Sequence, residues 1–215
     1  MLYEELKEMT LEEYRLKTVG KDYQLPIGLE KLFIFSKKYI ENWYAESFEI
    51  DLQEECYCIT IDNDPQKELE YKRYFKKFGT VDGTGGFCAF WVEDGVSDLE
   101  NSPIVNYGSE GSIHIVASNI YEFLRILTFD TELMDGVSFK VKDDYVESKY
   151  KQEYLSWLKS ELNLEPVKDL DEHQKHGESE DIVRFKSEAE LKYKEKFIAW
   201  HRDNEYEDIS DCFEM

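Results

Sequence analysis

Hydrophobic and polar positions along the chain alternate between two periods, and that alternation sets the expected elements. Residues 2–17 are helix-forming, with Thr10-Leu11-Glu12-Glu13 as a capping box and Gly20 as a stop. Pro26 and Gly28 open a stronger helix, in which Leu29, Leu32, Phe33, Ile40 and Trp43 recur at helical spacing as a buried stripe. Cys56-Tyr57-Cys58-Ile59-Thr60-Ile61 switches to period two and reads as a strand. Asp64-Pro65 is a good helix start, and Tyr71, Tyr74, Phe75 and Phe78 would share one face of the helix that follows. Phe87-Cys88-Ala89-Phe90-Trp91-Val92 is apolar at every position, as a strand covered on both faces would be.

Two further strands are expected over 103–107 and 113–117, joined by the Gly108-Ser109-Glu110-Gly111-Ser112 turn. Asn119 with Glu122 caps a helix carrying Ile120, Phe123, Leu124 and Leu127. A weak strand over 137–141 leads to a helix over 144–162, whose Tyr150, Tyr154, Trp157 and Leu158 should dock on the body. Residues 168–181 are polar, show no apolar period and read as a linker. A last helix starts at Ser187, capped with Glu190, and carries Leu191, Phe197 and Ile198; residues 203–215 read as a frayed acidic tail. Helices, then strands, then helices define an α+β domain rather than alternating βαβ units.

Composition narrows the function. The chain has 215 residues, is 15% aromatic, as a cored protein should be, and carries a formal charge of −22. Such a field repels phosphate backbones and anionic membrane surfaces and attracts basic proteins, so no direct nucleic-acid or membrane partner is expected. The Met1 end lacks the pattern of an export signal, and no apolar run approaches the roughly 20 residues of a membrane helix. Cys56, Cys58, Cys88 and Cys212 show no disulfide framework, so a cytoplasmic chain with reduced thiols is expected.

Candidate chemistry is sparse. Gly83-Thr84-Gly85-Gly86 lacks the Lys-Ser/Thr of a phosphate loop and leads into a strand, so it reads as a tight glycine-dependent approach to the sheet. No second cysteine pair accompanies Cys56 and Cys58, and His173 and His176 lie in the linker, so no metal or other cofactor is expected. Glu110 with His114, helped by Ser109, is the nearest thing to a catalytic pair, but the spacing does not demand one, and the chain reads as a non-enzyme. Charge position is more informative. Residues 79–135 hold ten acids (Asp82, Glu93, Asp94, Asp98, Glu100, Glu110, Glu122, Asp130, Glu132 and Asp135) against the single base Arg125. Gathered along the rims of the sheet, they suit docking onto a basic partner. Asp82, Glu93, Asp94, Asp98, Glu100 and Glu110, with Tyr107 as an aromatic anchor, are the candidate contact residues.

The same stretch carries a resemblance. Gly83-Thr84-Gly85-Gly86-Phe87-Cys88-Ala89-Phe90-Trp91 resembles the glycine-rich strand entry of the SUKH superfamily, which is named partly after a yeast regulator of cell-wall glucan synthesis. The run from Pro103 through Tyr107 to Gly111 is similar to its second hallmark, and Ala117-Ser118-Asn119 leading into residues 121–127 to its third. The resemblance is specific over 79–128, weaker over 1–78 and absent after Pro166. It implies one α+β domain over 1–166, with a mixed, mostly antiparallel sheet packed by helices. A polar linker (167–186) and a C-terminal helix with acidic tail (187–215) would follow. It further implies protein binding, with many bacterial members serving as immunity proteins that neutralise a toxin, commonly a nuclease. The alternative is a regulatory scaffold of the cell-wall-regulator kind.

Overall fold

The computed structural model describes residues 2–39, 43–46, 48–51, 64–81, 83–93, 96, 98–109, 111–131, 133, 138–140, 146–167, 182–184, 188–206 and 208–213; the side chains of 2, 3, 138–140 and 182–184 are not described. Chain order is α1 (Leu2–Glu8), α2 (Leu11–Thr18), α3 (Ile27–Lys38), β1 (Glu49–Ile50), α4 (Pro65–Arg73), β2 (Phe75–Thr80), β3 (Phe87–Trp91), β4 (Ile104–Tyr107) and β5 (Ile113–Ala117). It continues with α5 (Ile120–Ile126), β6 (Ser138–Lys140), α6 (Lys151–Leu162), β7 (Ile182–Arg184) and α7 (Glu188–Asp203). The expected α+β class holds. The main sheet is a five-stranded meander, β1-β2-β3-β4-β5, and every pairing in it is antiparallel rather than mixed.

Side-chain alternation on β3 explains the two-sided core. Phe87, Ala89 and Trp91 point to one face of the sheet, and Cys88 and Phe90 to the other. The Cys88 face packs against α1, α2, α3, α5 and α6 through Leu6, Tyr14, Leu29, Leu32, Phe33, Phe123, Leu124, Tyr154 and Leu158. The Trp91 face is covered by Tyr71 of α4 and by the C-terminal segment, through Ala189, Phe197, Ile198, Tyr206, Ile209 and Phe213. The Tyr71 hydroxyl joins the layers there, sharing hydrogen bonds with the Tyr107 hydroxyl (2.8 Å) and His201 Nε2 (3.0 Å).

Local signals formed as expected. Thr10 and Glu13 make both halves of the capping box, which starts α2 and separates it from α1. The Asp64 carboxylate accepts from Gln66 and Lys67 N–H ahead of Pro65. Asn119 accepts from Glu122 N–H, while the Glu122 carboxylate accepts from Ser118 N–H. A Cβ on Gly28 would come within 2.9 Å of Ile120, so this glycine sets the close approach of α3 and α5.

Several expectations are corrected. α4 ends at Arg73, and Phe75 and Phe78 lie on β2, facing opposite sides of the sheet. Trp43 falls beyond α3 and is 47% exposed, because the helix stops at Lys38. Leu191 on α7 is 74% exposed, since the helix turns Phe197 and Ile198 inward instead. Residues 203–206 and 208–213 are no frayed tail: Tyr206, Ile209 and Phe213 are buried against the second face. Within the expected linker, Ile182–Arg184 pairs with Ser138–Lys140 as β7 and β6. The expected strand over 56–61, Ile40, and residues 168–181 lie outside the described residues.

Candidate protein-binding surface

Of the residues expected to contact a partner, Asp82, Asp94 and Glu110 lie outside the described residues. Of the others, Glu93, Asp98 and Glu100 lie beyond the end of β3 and Tyr107 is the last residue of β4, and most have work inside the chain. Glu93 follows β3, and its carboxylate pairs with Lys196 of α7, tying the rim to the C-terminal helix. Asp98 remains exposed and caps the short turn Leu99–Asn101, accepting from Glu100 N–H at 2.9 Å.

Glu100 is a tertiary helix cap. Pro26 precedes α3 and has no side chain able to cap it, so the first N–H of the helix is without a local acceptor. The Glu100 carboxylate supplies one, accepting from Ile27 N–H at 2.8 Å, and it also accepts the Tyr121 hydroxyl. Partial burial and then the adjacent carboxylate push the Tyr121 phenol up to about 12. Glu122 and Asp130, further acids of the same stretch, also hold backbone N–H groups. Asp130 accepts from Glu46 and Ser148 N–H and lies 3.7 Å from Lys151 Nζ, in a left-handed conformation at φ 57°.

Tyr107 is corrected outright as an exposed anchor. It is only 3% exposed, stacks on Phe87 with centroids 4.9 Å apart, and spends its hydroxyl on Tyr71. Strand β4 is covered on both faces, so none of its side chains is free to reach a partner.

The two glycine-rich turns lie side by side. Thr84 and Ser109 hydroxyls are 2.6 Å apart, and the turns border a cleft of about 280 Å³ with Lys77, whose ammonium is ion-paired to Asp51 at 2.6 Å. Gly85 has φ +116° with open space where a Cβ would sit. It is required for its backbone angle rather than for the close approach that the sequence suggested. His114 Nδ1 lies 3.5 Å from the Glu190 carboxylate of α7, and Glu110, the turn acid expected beside it, lies outside the described residues. Among the described residues no three His, Cys, Asp or Glu side chains are grouped to hold a metal ion. Cys88 is buried and Cys212 half-buried, while Cys56, Cys58, His173 and His176 lie outside the described residues. No helix among the described residues is long and apolar enough to cross a membrane.

The outward charge that sequence reading set aside is on the C-terminal segment. Tyr206 N–H donates to His201 C=O at 2.9 Å, and Asp208 accepts from Ser210 N–H and Oγ, which holds its carboxyl below the usual range. With Tyr206, Ile209 and Phe213 turned inward, Asp203, Glu205, Asp208 and Asp211 are all exposed. The signal was present in the sequence, since Tyr206, Ile209 and Phe213 recur at spacings of three and four. Set against known proteins, the chain matches no family model, no curated protein and no solved structure.

Proposed function

We propose that this chain is a non-enzymatic binding protein of the immunity type, whose target is a basic, nuclease-type toxin domain. The observation that carries the reading is the fixed, exposed acidic charge of the C-terminal segment. On a chain of formal charge −22, residues 203–213 contain no base and present Asp203, Glu205, Asp208 and Asp211 outward from a segment anchored by three buried side chains. Carboxylates on ordered backbone meet a basic cleft without the ordering cost of a floppy tail. The resemblance over 79–128 supports the same class. Because Glu93, Glu100 and Glu122 are half-buried and Asp130 is buried, the contact charge is assigned to the exposed acids of the C-terminal segment, of which Glu205 lies 3.8 Å from Lys67 Nζ, together with exposed Asp98, not to the whole rim.

Acidic steering of this kind sets the encounter rate. With any basic toxin domain found encoded beside this chain as the probe, the association rate falls steeply as salt rises. The variant Asp203→Asn, Glu205→Gln, Asp208→Asn, Asp211→Asn associates more slowly at low salt and with a shallower salt slope. A rate indifferent to salt in the unaltered chain rules out the electrostatic account.

A further inference from the structure

Helices α3 and α6 lie antiparallel on the face of the molecule remote from α7. Tyr39 meets Tyr150 at 4.7 Å, Phe35 meets Trp157 at 4.9 Å, and Lys31 lies 3.6 Å from the Glu161 carboxylate. Between them runs an open groove of about 850 Å³, floored by Phe35 and Trp157. Ile34 projects into it and is 57% exposed; Ile27, seven residues earlier on the same helical stripe, is 56% exposed. Ile34, with Phe35 and Trp157 beneath it, gives the groove an apolar middle.

The walls of the groove differ in sign. The α3 wall carries Lys31 and Lys38, the α6 wall Glu153 and Glu161, and the two signs cancel. On a body of net charge −22 this locally balanced face is where another acidic body is able to approach closely. A two-fold axis along the groove places α3 of one copy over α6 of the other. Each Lys31, already beside Glu161 of its own chain, then also faces the second copy's Glu161, each Lys38 its Glu153, and each Ile34 its Trp157. A basic toxin domain gains no such match, because half of the charge it would meet is its own sign.

We propose that the α3–α6 groove is a self-association surface, through which two copies of this chain form a symmetric dimer with Ile34 at its centre. The interface is isologous, pairing the lysine wall of each copy with the glutamate wall of the other around an apolar middle. It is separate from the acidic C-terminal segment and does not depend on any target of that segment.

Sedimentation of the full chain tests this. The unaltered protein reaches twice its 25.6 kDa mass as concentration rises through the micromolar range. Ile34→Glu, at an exposed position that folding does not depend on, raises the dimer dissociation constant by about tenfold or more. A charge-reversal pair guards against a simple folding defect. Lys31→Glu with Lys38→Glu, and separately Glu153→Lys with Glu161→Lys, are each monomeric alone, since each then opposes like charges. Mixed, the two variants form a heterodimer, because every wall again meets its opposite. A protein that stays monomeric at all concentrations, a dimer untouched by Ile34→Glu, or a mixture that fails to associate overturns the proposal.

Discussion

Glu100 shows how a residue chosen for its charge can be spent on architecture. Its carboxylate caps α3 by accepting from Ile27 N–H and receives the Tyr121 hydroxyl. Glu100→Ala therefore lowers stability by about 1–3 kcal/mol, as loss of a charged helix cap does, read by chemical denaturation. The same substitution leaves the salt slope of partner association unchanged, which a contact residue would not. Local caps were legible in the sequence because donor and acceptor lie within three residues, as for Thr10 with Glu13 and Asp64 with Gln66. The role of Glu100 was not, because its partner is 73 residues away and only the fold brings the two together. Tyr107 was misread for a related reason: an aromatic beside a turn looks exposed until a second layer covers the strand.

At the scale of elements, burial and strand pairing overrode local pattern. Phe75 and Phe78, three apart, suggested a continuing helix, yet pairing with β3 drew them into β2, where that separation puts them on opposite faces. By contrast β3 was legible, since an unbroken apolar run has few explanations other than a strand covered on both faces. The amphipathic character of α7 was visible too, but the surface it would cover was not, because that surface is assembled from β2 to β5. The corrected orientation of α7 separates two substitutions on one helix. Phe197→Ala costs about 3–5 kcal/mol, whereas Leu191→Ala stays within about 0.5 kcal/mol, both by denaturant titration. Equal effects would mean that the helix docks by a different stripe.

Over the whole molecule, two layers of buried phenols make stability sensitive to alkali. Burial pushes Tyr14, Tyr44, Tyr71, Tyr107 and Tyr154 above the ordinary tyrosine value of 10.0. Their neutral forms are favoured in the folded chain, so their contribution is complete below pH 10 and is lost as pH rises above it, where only the unfolded chain ionises. Each phenol then lowers stability by about 1.4 kcal/mol per pH unit. Tyrosinate absorbance from these five should rise together with the loss of tertiary structure. Gradual ionisation in a chain that stays folded would contradict their burial. The net charge acts at the same scale, since −22 attracts basic surfaces and repels phosphate backbones. The most direct measurement, if a basic toxin-like domain is found encoded beside this chain, is growth of cells expressing that domain with and without the chain itself. Restored growth, lost when Asp203, Glu205, Asp208 and Asp211 are all converted to amides in a chain that still folds, is the predicted result. Unrelieved toxicity in the presence of the folded chain would contradict it.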